Sequence, residues 1–176
     1  MLVPDDHCDG TRESLQILIP GRMVVDDILN LVASMCTNTR FEDLEMKWWL
    51  PTTFAQIALS PTSHCAETLD FIKRKYMGFA DKLMKIYVPL FRDGHWYLVI
   101  VDLCNGELVY LDSAKSDVPV ERKARLDQIK YVAFFIENML NESVFYKDIE
   151  QGQTSYPRCS SYILVEPEIG QKAPNS

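Results

Sequence analysis

The chain has 176 residues, of which 47% are hydrophobic and 24% charged, a composition that suits one compact domain or two very small ones and excludes a disordered chain. Its 25 acidic and 18 basic residues give a net charge of −7, which argues against direct binding of nucleic acid through the phosphates. Apolar runs reach only six residues, as in 96–101, too short to span a membrane, and residues 1–6 do not resemble a signal peptide.

The cysteines favour a reducing compartment. The five are scattered, none forms a Cys-x-x-Cys pair, and the three histidines do not cluster with them, so no zinc site is predicted. We expect a nuclear or cytoplasmic protein. Two basic clusters, 73–75 and 121–125, lie beside apolar residues at helical spacing and are interpreted as solvated helix faces, with a partner-binding patch as the alternative.

The N-terminal half is predicted to be helical. Residues 1–21 are expected to form a poorly ordered extension, and the domain proper to extend over 22–176. Apolar residues recurring at three and four positions predict helices over 22–35 and 65–77, and the aromatic stretch 48–54 predicts the end of one element and a helix toward Leu59. Trp48 and Trp49 are interpreted as core or interface residues.

The middle of the chain predicts strands and one long helix. Residues 96–101 are apolar at both odd and even positions, so both faces of that strand should be covered. Asn105-Gly106 predicts a tight hairpin. The predicted strands are 85–90, 96–101, 107–111 and 162–165, and the helix is 119–140, with Pro119 in its first turn.

His95 and Asp112 are the candidate catalytic pair. In a two-residue Asn105-Gly106 hairpin, residue i faces residue 211 − i, so Asp112 would lie opposite Val99 and on the same face as His95. The remaining four-residue offset corresponds to about 13 Å, too long for a hydrogen bond. A bulge, a longer loop or a bend at Gly94 would have to shorten it.

No nucleophile follows from spacing alone. Cys36 and Cys65 fall in predicted helices, Cys104 lies at the far end of the hairpin, and a strand rather than a helix N-terminus follows Cys159. Ser113 is interpreted as a turn residue.

Two blocks in the middle of the chain carry a family resemblance. Residues 88–103, VPLFRDGHWYLVIVDL, and 109–113, VYLDS, resemble the His-Trp and Tyr-x-Asp-Ser blocks of the Ulp-type cysteine proteases, which process SUMO and related ubiquitin-like proteins. The chain resembles divergent plant members of that family, over roughly 22–176. The resemblance implies an α+β, papain-like (Ulp-type) fold with a central, mostly antiparallel sheet flanked by helices.

The resemblance also implies roles for named residues. His95 would be the general base and Asp112 its orienting residue, close enough to form a hydrogen bond, and no metal or cofactor would be needed. The family nucleophile belongs to an Asp-Cys-Gly motif. Residues 166–176 resemble the lead-in to that motif, with Gln171 as the oxyanion glutamine, so we expect this sequence to end before the cysteine and to be inactive as it stands.

The implied partner is a SUMO-type ubiquitin-like protein or its conjugates. Family members often begin the first helix with Trp-Leu-x-Asp, whose tryptophan covers the channel for the substrate tail, whereas residues 23–26 here are Met-Val-Val-Asp. Trp96 would supply one wall of that channel, and core packing is its alternative role. Two further alternatives stay open for the chain as a whole: an inactive module that binds a ubiquitin-like protein, and a relic of a transposon-derived protease.

Overall fold

The computed structural model describes residues 3–5, 8–10, 24–39, 46–60, 65–146 and 156–167. In these ranges the helices are α1 (Asp26–Thr39), α2 (Thr52–Leu59), α3 (Cys65–Tyr76) and α4 (Pro119–Leu140). The strands are β1 (Val3–Asp5), β2 (Cys8–Gly10), β3 (Met46–Trp49), β4 (Leu83–Arg92), β5 (His95–Asp102), β6 (Glu107–Leu111) and β7 (Ile163–Val165).

One five-stranded sheet organises the domain, in the order β3-β4-β5-β6-β7. The two long central ladders are antiparallel, while β3 runs parallel to β4 and β7 parallel to β6. The predicted α+β class, with a sheet antiparallel at its centre and flanked by helices, is therefore confirmed. The parallel outer pairs make the sheet mixed.

The helices follow the sequence pattern, with shifted ends. α1 begins at the acidic pair Asp26-Asp27, which suits the positive end of a helix, and it continues to Thr39 rather than ending at Met35. α4 has the predicted bounds, with Pro119 in the first turn, where a missing N–H costs no helical hydrogen bond. Residues 46–49 form a strand, in which Trp48 is fully buried and Trp49 stacks on Tyr87 with ring centroids 3.8 Å apart.

The two faces of the sheet differ in their cover. On one face Tyr97, Val99 and Val101 of β5 are buried in a core that includes the apolar stripe of α4. On the other face Trp96 and Leu98 are only half-buried. Both faces of this strand were expected to be covered. Within the described residues, the face of Tyr97, Val99 and Val101 is covered, and the face of Trp96 and Leu98 is covered only in part.

Part of the N-terminal extension adopts regular structure. β1 and β2 pair antiparallel, with Val3 opposite Gly10, and β2 lies alongside α1. The remainder of residues 1–21 lies outside the described residues, so its expected poor order stays a prediction, as does the domain boundary at 22.

Candidate active site

A tight turn places His95 at the start of β5. Arg92 pairs with His95, leaving Asp93 and Gly94 as a two-residue turn with φ of 51° and 75°. Positive φ at both positions is the pattern of the mirror-image turns that match the twist of a hairpin, and glycine and aspartate tolerate it better than most residues. The hairpin between β4 and β5 therefore ends directly at the candidate base.

The loop between β5 and β6 is longer than the sequence predicted. Asp102 pairs with Glu107, so four residues, 103–106, form the loop. Residue i of β5 therefore faces residue 209 − i of β6, rather than 211 − i. The predicted two-residue Asn105-Gly106 turn is therefore wrong, and the pairing of β6 with β5 is shifted by two residues from the predicted register. Because side chains alternate with a period of two residues, His95 and Asp112 remain on the same face of the sheet, and their offset along the strands falls from four residues to two.

The buried carboxylate of Asp102 holds this longer loop. Its Oδ1 accepts hydrogen bonds from the backbone N–H groups of Cys104 (3.1 Å) and Asn105 (3.0 Å), and its Oδ2 accepts from Asn105 Nδ2 (3.0 Å). Lys85 Nζ lies 3.4 Å from the same Oδ2. Burial by itself raises the pKa of Asp102, but the Asn105 bonds and Lys85 outweigh it and hold the pKa below its usual value.

His95 and Asp112 form a hydrogen-bonded pair. Imidazole Nε2 lies 2.6 Å from Asp112 Oδ1, so the two side chains are within hydrogen-bond reach, as the resemblance implied. The His95 side chain is 24% exposed and that of Asp112 is fully buried. An ionised carboxylate can only accept, so Nε2 carries the proton and Nδ1 of the neutral ring has the free lone pair.

Four donors saturate the Asp112 carboxylate. Oδ1 also accepts the Ala114 N–H at 2.9 Å, and Oδ2 accepts the Tyr110 hydroxyl and Nη1 of Arg125, the latter at 2.6 Å. Burial raises the pKa of Asp112, but these bonds and the one from His95 together hold it below its usual value. The carboxylate is thus ionised and oriented, which is what a base-orienting group requires.

Two of these partners were missed by the sequence reasoning. The cluster 121–125 was interpreted as a solvated face, yet Arg125 is only 5% exposed, and that interpretation is wrong for this residue. A signal was present, because Arg125 shares a helix face with Ile129, Val132 and Ile136 at intervals of four, seven and eleven. Tyr110 lies two residues before Asp112 on the same face of β6, and burial and the neighbouring carboxylate raise its pKa to about 12.

Two of the three cysteines with described side chains, Cys104 and Cys159, lie at the end of the hairpin opposite this pair. Cys104 lies in the β5–β6 loop, at the opposite end of β5 from His95. Cys159 is fully buried, and burial, followed by the charge of Glu137, raises its pKa to about 12, so it stays a thiol. Burial also raises the pKa of Cys36. The side chains of the remaining two cysteines lie outside the described residues.

Trp96 connects the site to the start of α1. Its Nε1 donates a hydrogen bond to the Val24 carbonyl (2.8 Å), so it lies against the residues that replace the family's Trp-Leu-x-Asp segment. Phe91, 45% exposed, packs on the Trp96 ring at a centroid distance of 4.8 Å. The proposed role of Trp96 as a channel wall stays a prediction, and Gln171 lies outside the described residues.

An apolar groove of about 370 Å³ lies beside the pair, between α1 and the less covered face of the sheet. Leu29 and Val32 line it from the helix, and Tyr87, Trp96 and Leu98 line it from the strands. Trp96 and Ser113, the neighbours of His95 and Asp112 in the sequence, also line the groove, whereas His95 and Asp112 themselves do not. Among the described residues no cluster of His, Cys, Asp or Glu is arranged to hold a metal ion, and no helix is long and apolar enough to cross a membrane.

A family comparison agrees with this geometry. Residues 64–156, more than half of the chain, match the family model described as the Ulp1 protease family, C-terminal catalytic domain. The matched segment includes both His95 and Asp112. No curated protein matches the chain at a significant level.

The fold is shared with solved SUMO proteases. The chain is similar to the SUMO protease Ulp1 with its catalytic cysteine oxidised to a sulfenic acid, with a TM-score of 0.64, 17% identity, and coverage of 98% of this chain and 68% of that one. It is also similar to a de-sumoylating protease, with a TM-score of 0.58, 15% identity, and coverage of 94% and 61%. It is also similar to the C-terminal Ulp1 protease domain in complex with Smt3, the yeast orthologue of SUMO, with a TM-score of 0.56, 16% identity, and coverage of 93% of this chain and 63% of that one. The chain thus spans between 61% and 68% of these structures.

Proposed function

The chain belongs to the Ulp1 protease family, and from that membership we propose that it carries the general base and orienting carboxylate of a cysteine-type peptidase. The substrates are peptide or isopeptide bonds that follow the tail of a SUMO-type ubiquitin-like protein. The similar Ulp1 domain bound to Smt3 supports this choice of partner. A nuclear or cytoplasmic location fits such a substrate.

The contact between His95 and Asp112 is the observation on which the proposal rests. With Nε2–H donated to Asp112, Nδ1 is the nitrogen that accepts the proton of a cysteine thiol. The thiolate then attacks the scissile carbonyl, and the ionised Asp112 stabilises the imidazolium that forms. When the amine leaves, Nδ1–H returns the proton to it, and a water molecule later releases the acyl group.

The nucleophile of this scheme is proposed to come from outside residues 1–176. Cys104 lies in the β5–β6 loop, and Cys159 shortly precedes Ile163, which pairs with Glu107 at the same end of the hairpin, so both lie at the end opposite His95. Cys159 is in addition a buried thiol whose pKa is raised to about 12. Gln171 and a backbone N–H would stabilise the oxyanion. By this proposal residues 1–176 alone have no peptidase activity.

Trp96 is proposed to contact the substrate tail. Its ring is half-buried, hydrogen-bonded to the backbone at Val24, and next to His95 in the chain. An extended glycine-rich tail passing this ring would bring its terminal carbonyl to the base.

A second candidate is a binding module without catalytic activity. The observation that favours it is that neither Cys104 nor Cys159, whose side chains are described, is placed to act with His95. Such a module would keep the surface for the ubiquitin-like protein and lack hydrolysis in every form of the chain.

The two functions are separated by a chain extended at its C-terminus with a segment that carries an Asp-Cys-Gly motif. The extended chain is expected to cleave a SUMO-type precursor, and His95→Ala should lower kcat by on the order of 10⁴-fold or more. His7→Ala removes a histidine outside the matched segment and is the control. Binding of the SUMO-type protein with no cleavage by an extended chain that contains an Asp-Cys-Gly motif would overturn the peptidase in favour of the binding module.

A further inference from the structure

We propose that Arg125 is a positioning residue, which holds the Asp112 carboxylate ionised and turned so that one oxygen faces His95. The proposal rests on the proposed function, because it concerns the same pair. Arg125 projects from α4, whereas His95 and Asp112 belong to a hairpin, so the helix sets the orientation of a group on the sheet.

The orientation follows from how the four donors divide between the two oxygens. Arg125 Nη1 and the Tyr110 hydroxyl occupy Oδ2. Arg125 Nη1 also donates to the Ala114 carbonyl at 3.1 Å, and the N–H of Ala114 binds Oδ1. Rotation of the carboxylate would break bonds on both oxygens at once, so Oδ1 stays directed at His95 Nε2.

Arg125 and Asp112 also neutralise each other's buried charge. The side chains of Arg125 and Asp112 are 6% and 0% exposed, so each would be an uncompensated buried charge without the other. Desolvation lowers the pKa of Arg125, but its bonds to Tyr110 and Asp112 raise it by more. With the guanidinium in place, the carboxylate remains an acceptor and fixes the proton of the neutral imidazole on Nε2.

Arg125 is itself held in place. Its Cζ lies 5.9 Å from the centroid of the Tyr97 ring, and the Tyr97 hydroxyl donates to Gln128 Oε1 at 2.7 Å, one turn along the same helix. Its Nε is buried without a hydrogen-bond partner among the described residues, which is an energetic penalty. Packing alone does not account for a buried arginine that carries this energetic penalty, whereas a role in orienting Asp112 does.

The test uses the chain itself and does not depend on peptidase activity. The solvent exchange rate of the His95 Nε2 proton is measured by NMR, with the signal assigned by its loss in His95→Gln. Arg125→Met should raise that rate at least about tenfold, the factor that a loss of about 1.4 kcal/mol produces. Arg125→Lys should restore it to within about threefold, because an ammonium can still bind Oδ2.

Two comparisons separate positioning from mere stability. The backbone N–H of Val132, buried on α4, should keep its exchange rate in Arg125→Met, and Arg122→Met should leave the His95 proton unchanged because Arg122 pairs with Glu166 instead. If Arg125→Met does not fold, Arg125→Gln, which retains a donor, is expected to give an intermediate rate. Equal acceleration of both protons, or no acceleration of the His95 proton, would overturn the proposal.

In an active extended chain, Arg125→Met is expected to lower kcat and leave KM within about twofold, since Arg125 acts through Asp112 and not on the substrate. If no form of the chain is active, the proposed function fails, while the exchange of the His95 proton still decides the role of Arg125.

Discussion

Nε2 of His95 lies 2.6 Å from Oδ1 of Asp112, although the tightest hairpin that the sequence allows would separate the two positions by about 13 Å. The difference arises in the loop between them. Asp102 binds the loop backbone at Cys104 and Asn105, so the loop has four residues and the strands shift by two. A side chain at one end of the hairpin thus sets the geometry at the other end.

The first prediction concerns this loop anchor. Asp102→Ala removes the three hydrogen bonds to Cys104 and Asn105 and should lower the free energy of unfolding in urea by about 1–3 kcal/mol. Asp117→Ala, at an exposed position of another loop, is the control and should stay within about 0.5 kcal/mol. Similar losses in both variants would show that Asp102 does not anchor the loop.

The second prediction is a loss of stability in acid. The pKa values of Asp102 and Asp112 lie below their usual range in the folded state, so the folded state binds protons less readily than the unfolded chain. Their contribution is complete above the unfolded pKa of about 4 and is lost as the pH falls through the folded values. Thermal unfolding between pH 7 and pH 2 should show this fall.

Asp102→Asn is the matched variant for the acid series. It should flatten part of the decline below pH 4, because one of the carboxyl groups whose pKa is lowered no longer titrates. An unchanged slope in Asp102→Asn would contradict the lowered pKa of that residue.

The third prediction concerns Cys159. Its thiol is fully buried with a pKa raised to about 12, so alkylation of the native chain at pH 8 should label the exposed Cys104 and spare Cys159, as read by peptide mass mapping. A thiol-reactive ubiquitin-like probe should fail to label the 176-residue chain. Labelling that Cys159→Ala abolishes would identify Cys159 as the nucleophile and contradict the proposed scheme.

The fourth prediction concerns the apolar groove between α1 and the sheet. A groove of about 370 Å³ lined by the half-buried Leu29, Trp96 and Leu98 leaves apolar surface in water, and each such side chain forfeits part of the roughly 1.5–3 kcal/mol that full burial contributes. We expect the 176-residue chain to bind a dye specific for apolar surface and to unfold at a lower temperature than the extended chain. Equal, sharp transitions in both would show that the core of residues 1–176 is already complete.

The sequence determined the local elements and the shared face of the candidate pair. The stripe of α4, the strands on either side of Asn105-Gly106 and the acidic start of α1 all follow from periodicity and end signals, which depend on neighbours a few residues away. The placement of His95 and Asp112 on one face was also predictable, because side chains alternate with a period of two and the actual shift of two preserves that alternation.

Only the tertiary structure decided the register, the partners of Asp112 and the cover of the sheet. The loop length depends on which backbone groups the Asp102 carboxylate binds, and the burial of Arg125 depends on how α4 lies against Asp112 and Ala114, the residues that follow β6. The loop length and the burial of Arg125 both depend on contacts that form only in the folded chain, so the type of residue at one position does not determine them. Arg125 belongs to a charged cluster in the sequence and is also in line with the apolar stripe of α4, and in the folded chain it is the buried cation that holds Asp112 toward His95.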